Sequence, residues 1–299
     1  MNVPTTPSVS TLVNPFSPFD AALGAALHTN VSMALDEDVG SGDLTGLLVP
    51  QNEWVQARVL VREPAILCGA PWFDAVMARL DPSIRIDWQY AEGDRMKADT
   101  VTCLIDAPAR ALLTGERCAL NFLQLLSGVA TATRQYVDVI AGTAAVILDT
   151  RKTMPGMRLA QKYAVRVGGG SNQRLALYDG ILIKENHIAA AAGIASAMQQ
   201  ATAVKAGVAI QIEVESIAQL LEALSAGATS ILLDNFSLAM MCEAVSISAG
   251  KALLEASGGI NLTTVRAIAE TGVDRISIGS LTKDIAATDY SLRIIGRSH

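Results

Sequence analysis

The chain has 299 residues, a formal net charge of −6, 51% hydrophobic residues and 17% charged ones. That is enough chain for one large core or two moderate ones, and the apolar share excludes overall disorder. The acidic balance and the lack of a long Lys/Arg run argue against general nucleic-acid binding. An aromatic share of only 4%, with abundant Ala, Val, Ile, Leu and Gly, suits alternating strands and helices better than an all-β sandwich.

The first Lys or Arg is Arg58, so the N-terminal stretch has neither the basic region of a secretory signal nor the arginines of a transit peptide. The uncharged run 186–204 contains His187, Gln199, Gln200 and Thr202 and reads as a loop leading into a helix, not a bilayer span. The expectation is a soluble, cytoplasmic protein with no membrane partner. Cys68, Cys103, Cys118 and Cys242 are widely separated, with no CxxC and no nearby His pair. They are expected to be reduced, mostly buried thiols rather than zinc ligands or disulfides.

Residues 1–19, rich in Pro, Ser and Thr, read as a flexible lead-in. Residues 21–35 form a predicted helix, stopped by Asp36-Glu37-Asp38 and by Gly40 and Gly42. The stretch 54–108 mixes weakly alternating runs with turns such as Glu92-Gly93-Asp94, as an α+β domain would. Thr114 is the expected cap of a helix running through Glu116, Arg117, Leu120, Leu123 and Leu126 towards Gly128.

After Gly142 short apolar runs recur, each followed by polar residues and a helical stretch. They are Val146-Ile147-Leu148 before Asp149, Ile181-Leu182-Ile183 before Lys184, and Ile210-Gln211-Ile212 before Glu213. Three more are Ile231-Leu232-Leu233 before Asp234, Leu253-Leu254 before Glu255, and Ile276-Ser277-Ile278 before Gly279. The spacings from Lys184 to Glu213, Asp234, Ser257 and Gly279 are 29, 21, 23 and 22 residues, the length of a strand with its crossover helix. Ser216 and Gly227 bracket one such helix, Thr263 and Gly272 the next. The pattern predicts an α/β chain with a (β/α) barrel, complete or incomplete, and no GxGxxG supports a dinucleotide fold.

In a barrel, polar residues just past the C-terminal strand ends form the active site. Here Asp149, Arg151, Lys152, Lys184, Glu213, Asp234 and Ser257-Gly258-Gly259 hold such positions. Arg151 and Lys152, among the hydroxyls of Thr150 and Thr153, make an anion site or a solvated loop. Arg174 follows Gly168-Gly169-Gly170-Ser171-Asn172-Gln173, whose glycines allow close backbone approach to an anion or simple flexibility. Glu213 and Asp234 suit magnesium, general acid–base work, or ion pairs with the lysines. Ser257-Gly258-Gly259 and Gly279 end the last two strands, where barrels often bind phosphate. A substrate with several negative groups plus magnesium fits this set; hydride transfer does not.

The residues then match a known family. Gly115-Glu116-Arg117, Asn121-Phe122 and Leu126-Ser127-Gly128-Val129-Ala130-Thr131 resemble the quinolinate phosphoribosyltransferase family, the decarboxylating nicotinate-nucleotide pyrophosphorylases. So do Asp149-Thr150-Arg151-Lys152-Thr153, Lys162-Tyr163-Ala164-Val165, Gly168-Gly169-Gly170 and Leu182-Ile183-Lys184-Glu185-Asn186-His187. Glu213-Val214-Glu215, Leu233-Asp234-Asn235-Phe236, Ser257-Gly258-Gly259, Glu270-Thr271-Gly272-Val273-Asp274 and the early Glu37-Asp38-Val39-Gly40-Ser41-Gly42-Asp43-Leu44-Thr45 agree as well.

The resemblance implies a type II phosphoribosyltransferase fold. An N-terminal α/β sandwich domain (20–128, rejoined by about 288–299) would precede an incomplete α/β barrel (129–287). It implies the union of quinolinate with 5-phosphoribosyl 1-pyrophosphate, giving nicotinate mononucleotide, pyrophosphate and carbon dioxide in NAD biosynthesis. It implies a homodimer or hexamer with Arg117 supplied in trans. Lys152, Lys184, Glu213 and Asp234 become the catalytic set, with Glu213 and Asp234 holding Mg2+. Arg117, Arg151 and Arg174, with Lys152, would clamp the two carboxylates of quinolinate, and Thr150 and Gln173 join the substrate-binding set. Lys152 and Lys184 would also meet the charges of the phosphoribosyl donor, and Ser257, Gly258, Gly259 and Gly279 its 5-phosphate. One position departs from the family: Gln173 stands where its Gly-Gly-Gly-x-Asn-His-Arg motif has a histidine that contacts the substrate carboxylate. His187 is expected to be structural.

Other readings stay open on these residues. They are a nicotinate phosphoribosyltransferase or the paralogue associated with molybdenum transport, a catalytically dead barrel kept as a binding protein, and a different phosphate-binding barrel such as an isomerase.

Overall fold

The computed structural model describes residues 14–17 and 19–297, so most of the lead-in expected over 1–19 lies outside the described residues. In chain order the elements are α1 (Ala21–Val39), a 3-10 turn (Gly46–Leu48), β1 (Trp54–Val61), β2 (Ala65–Ile66), α2 (Ala70–Leu80), β3 (Arg85–Trp88), β4 (Arg95–Met96), β5 (Thr100–Pro108) and α3 (Ala109–Val139). There follow β6 (Val146–Leu148), α4 (Arg158–Val167), β7 (Gly180–Ile183), α5 (Glu185–Ala190), α6 (Ile194–Ala203), β8 (Ala209–Val214) and α7 (Ile217–Ser225). The last are β9 (Ser230–Asp234), α8 (Leu238–Ser248), β10 (Leu253–Ser257), α9 (Val265–Glu270), β11 (Arg275–Ser277), α10 (Ser280–Lys283) and β12 (Tyr290–Arg297). Among the described residues no helix is long and apolar enough to cross a membrane.

Packing divides the chain into two units. One comprises the chain up to Thr131 with the chain from Ile285 on, the other Ala132–Asp284. In the first, an antiparallel sheet runs in the order β12-β1-β5-β3, with β2 and β4 paired separately. Val59 sits between Cys103 and Leu292, so the C-terminal strand completes this sheet. Trp72, Phe73, Val76 and Met77 of α2 are wholly buried at helical spacing.

Two helix boundaries differ from expectation. Asp20 accepts from the Leu23 N–H at 2.7 Å and caps α1, which runs through the acidic turn to Val39. Asp36, Glu37 and Asp38 are exposed, so they cost the helix little, and Gly40, at φ 50°, ends it. The third helix begins at Ala109 and passes through Gly128. Thr114 does not cap it; its hydroxyl donates to Asp43 Oδ2 at 2.8 Å. Gly128 is there for space, because a Cβ would lie 2.3 Å from the Ala286 carbonyl oxygen.

The second unit is a parallel sheet in the order β6-β11-β10-β9-β8-β7, and Ser171 adds an isolated parallel bridge to Leu148. This is an incomplete (β/α) barrel in an α/β chain. Ile183, Ile212, Val214, Ile231, Leu233, Leu254, Ala256 and Ile276 alternate into one buried apolar cluster with helix residues such as Leu220, Ala244 and Ile268. The alternate positions, Lys184, Glu213, Asp234, Glu255, Ser257 and Ser277, line a cavity on the other face. Ser216 caps α7 by accepting from Gln219 N, and Gly227 follows at φ 81°. The stretch read as a loop before a helix forms two short helices, α5 and α6. Two strands extend further than expected. β9 includes Asp234, and β10 continues past Glu255 to Ser257, which makes Glu255 an interior residue, 1% exposed.

Candidate active site

The C-terminal strand ends of the second unit surround a cavity of about 340 Å³. Thr150, Arg151, Lys152, Gln173, Arg174, Lys184, Glu213, Asp234 and Ser257 line it. Gly258 and Gly259 follow at φ 104° and 60°, and Gly279 packs on Lys152, where a Cβ would lie 3.0 Å from Cδ. Arg117 is not in this set: it belongs to the first unit and is exposed on α3.

Each side chain is held by its neighbours. The loop after β6 is tied by the Lys152 N–H to Thr150 Oγ1 (3.0 Å), by Thr282 Oγ1 to the Lys152 carbonyl (2.8 Å), and by Arg158 Nε to Thr153 Oγ1 (3.0 Å). Arg174 donates from Nη1 to the carbonyl of Gly180, the first residue of β7, at 3.0 Å. The Nε atoms of Arg151 and Arg174 are buried with no hydrogen-bond partner. Burial, then the neighbouring Arg151, holds the Arg174 guanidinium below its ordinary pKa. Two guanidiniums that line one cavity and repel one another suit an anion.

Lys184 Nζ lies 3.3 Å from Glu213 Oε2, joining the ends of adjacent strands β7 and β8. Burial raises the Glu213 carboxyl above its ordinary value; Lys184 opposes this and Asp234 reinforces it. The amide of Asn235 donates to Asp234 Oδ2 at 2.9 Å. Among the described residues no group of three His, Cys, Asp or Glu side chains gathers as a cation cage. Two carboxylates still suit magnesium, which keeps waters and takes further oxygens from a substrate's phosphates.

Asp149, expected at the mouth, is instead fully buried. It accepts from Lys162 Nζ, from Asn172 Nδ2 at 2.6 Å and from the Gln173 N–H at 2.9 Å, and so anchors the segment carrying Gln173 and Arg174. Burial raises the Asp149 carboxyl and lowers the Lys162 ammonium; their mutual attraction opposes both shifts. His187 Nδ1 accepts from the Lys184 N–H at 3.0 Å, closing the first turn of α5. All four cysteines are free, with Cys242 exposed and the other three buried.

Sequence reading overlooked Gln211 and Glu255. Gln173 Nε2 donates to Gln211 Oε1 at 3.0 Å, and Gln211 Nε2 donates to Glu255 Oε2 at 2.8 Å. The signal was available: Gln211 and Glu255 each precede a mouth residue, Glu213 and Ser257, by two positions, the period of an inward strand face.

Comparison with known proteins follows the same lines. The profile of the quinolinate phosphoribosyl transferase N-terminal domain matches residues 43–127, and that of the C-terminal domain matches 129–293. The chain is 39% identical over 259 residues to the probable nicotinate-nucleotide pyrophosphorylase (carboxylating) of Bacillus subtilis, covering 86% of this chain and 90% of that one. It is 39% identical over 284 residues to the nicotinate-nucleotide pyrophosphorylase (carboxylating) of Mycobacterium leprae, covering 92% and 97%. The solved nicotinate-nucleotide pyrophosphorylase from Francisella tularensis superimposes with a TM-score of 0.87 at 42% identity, covering 91% of this chain and 96% of that one. Domain order, strand-end chemistry and these likenesses agree: the chain belongs to the quinolinate phosphoribosyltransferase family.

Proposed function

We propose that the protein joins quinolinate to 5-phosphoribosyl 1-pyrophosphate, releasing pyrophosphate and carbon dioxide and leaving nicotinate mononucleotide, a step of NAD biosynthesis. The observation that carries this reading is the pair of guanidiniums, Arg151 and Arg174, lining the cavity that also holds Lys152 and Lys184. Two adjacent carboxylates satisfy two such forks; the single carboxylate of nicotinate does not.

In this reading Arg151, Arg174 and Lys152 orient quinolinate, with Thr150 and Gln173 beside it. Arg117, exposed on α3, comes from a second copy of the chain in a homodimer or a hexamer. Lys152 and Lys184 meet the phosphates of the donor, and the backbone at Ser257, Gly258, Gly259 and Gly279 receives its 5-phosphate. Glu213 and Asp234, oxygen donors on neighbouring strands, would hold Mg2+. When bound, the cation supplies charge neutralisation for the leaving group. The four unpaired cysteines support a cytoplasmic setting. The partners are the two substrates and a second copy, not nucleic acid or membrane.

The chemistry then needs no enzyme nucleophile. As the C1–O bond to pyrophosphate breaks, the carboxylates face an oxocarbenium-like ribose and stabilise it. The ring nitrogen, held in line by the arginines, forms the new bond. The resulting pyridinium withdraws electrons from C2, the C2 carboxylate leaves as carbon dioxide, and the electron pair left at C2 takes a proton from solvent.

The test supplies the purified protein with Mg2+ and phosphoribosyl pyrophosphate, with quinolinate or nicotinate in parallel. Nicotinate mononucleotide from quinolinate alone, with carbon dioxide released, is the expected result. Turnover of nicotinate instead would overturn the dicarboxylate reading, and silence with both would overturn the enzyme reading.

A further inference from the structure

Below the mouth the barrel contains a second, larger cavity of about 550 Å³, lined by residues at the N-terminal ends of the strands, such as Val146, Ala209 and Leu253. Gln173, Arg174 and Glu255 line both cavities and so form the partition between them. Across it runs the chain of polar side chains from Gln173 through Gln211 to Glu255, with Gln211 8% and Glu255 1% exposed. Polar groups in an interior this closed are costly unless their pairing serves something.

The order of donors along this chain is set from its far end. A carboxylate oxygen offers only lone pairs, so Glu255 takes an N–H of Gln211. The Gln211 amide is thereby turned with its carbonyl towards Gln173, and that carbonyl takes one N–H of Gln173. The Gln173 side chain is thus held in one orientation at the wall of the mouth, with one N–H committed and the remainder of its amide available to the cavity.

We propose that Gln211 and Glu255 are positioning residues for the pyridine substrate, acting through Gln173: together they fix the amide that stands where the resembling family has a histidine. Gln211 lines only the lower cavity, and Glu255 is 1% exposed at the partition. The proposal rests on the function proposed above, and on Gln173 facing the quinolinate carboxylates.

A double-mutant cycle tests it, read by the KM values of both substrates, by kcat, and by calorimetric binding of quinolinate. Gln211→Leu is expected to raise the quinolinate KM about 3- to 10-fold, the loss of one oriented hydrogen bond. kcat and the phosphoribosyl pyrophosphate KM should stay within about twofold, since the change lies on the pyridine side. In a Gln173→Ala background the same substitution is expected to have no further effect. Glu255→Gln, nearly isosteric, should act in the same direction because a third amide no longer dictates which end of Gln211 faces Gln173, and it carries the test if Gln211→Leu does not fold. Equal losses with and without Gln173, or losses shared by both substrates, would overturn the proposal while leaving the function intact. A wild-type protein that neither binds nor turns over quinolinate would overturn the function itself.

Discussion

Lys162 and Asp149 form an ion pair whose side chains are 2% and 0% exposed, one strand end and one helix locked together beneath the segment that bears Gln173 and Arg174. Lys162 Nζ also donates to the Gln173 carbonyl at 3.0 Å, and Asn172 Nδ2 to the Lys162 carbonyl at 2.9 Å. The pair therefore acts as a scaffold for two residues that line the cavity.

Lys162→Met leaves Asp149 buried with no cation, and breaking one half of such a pair costs about 3–5 kcal/mol. The pH dependence follows from the carboxyl. Burial already raises Asp149 above its unfolded value, and loss of Lys162 raises it further. A carboxyl raised in the folded state favours folding at acid pH, and that contribution is lost as pH climbs through the folded value. The stability gap between variant and wild type is expected to be widest at neutral and alkaline pH and to shrink as pH falls towards the ordinary carboxylate range. Urea unfolding at several pH values measures it; a gap that does not change with pH would contradict the account.

Gly258→Ala is expected to damage the phosphoribosyl side of the site. Gly258 has φ 104°, and a Cβ there would lie 2.1 Å from Asn235 Oδ1 and 3.1 Å from the Asn235 nitrogen. Asn235, itself at φ 56°, donates from its N–H to the Ser257 carbonyl and from its amide to Asp234. An added methyl group must push Asn235 away and release Asp234. Displacement of about 1 Å at a reacting centre lowers turnover by about 10²-fold, so kcat/KM for the phosphoribosyl donor should fall by that order, and the strain of alanine at this φ, about 1–3 kcal/mol, should lower the melting temperature by a few degrees. Unaltered kinetics would mean that the Asn235–Asp234 contact is not used.

Much of this arrangement was legible in the sequence because a barrel strand writes its own end. Apolar triplets before Lys184 and Asp234 announce where a chain leaves the core, and the spacing between successive strand ends announces the helices. The same signal misplaces Asp149, since a charged residue after Val146-Ile147-Leu148 looks alike whether it faces the mouth or turns into a buried anchor; only the position of Lys162 on α4 decides it. Glu255 was mistaken for a strand end because a carboxylate inside a barrel is rare unless it is paired. Thr114 and Gly128 carry the residue types of helix ends, yet tertiary partners, Asp43 and the Ala286 carbonyl, account for both.

Gln173→His is expected to strengthen quinolinate binding and to make it pH-dependent. A neutral amide offers the substrate carboxylate an uncharged hydrogen bond, whereas an imidazolium offers a charged one, a difference of about 1 kcal/mol or roughly fivefold in affinity. The imidazole can keep one N–H on Gln211 Oε1 and present the other to the substrate, so the chain through Gln211 to Glu255 survives the change. The gain belongs to the protonated ring and is present below its pKa, ordinarily about 6.5, and lost as pH rises above it. The quinolinate KM of the variant should therefore fall between pH 8 and pH 6, relative to wild type, while the KM for the phosphoribosyl donor tracks wild type. Steady-state kinetics across that range decide the matter. Identical affinity and identical pH profiles would mean that position 173 does not face the carboxylate, and that the orientation imposed on it by Gln211 serves the barrel rather than the substrate.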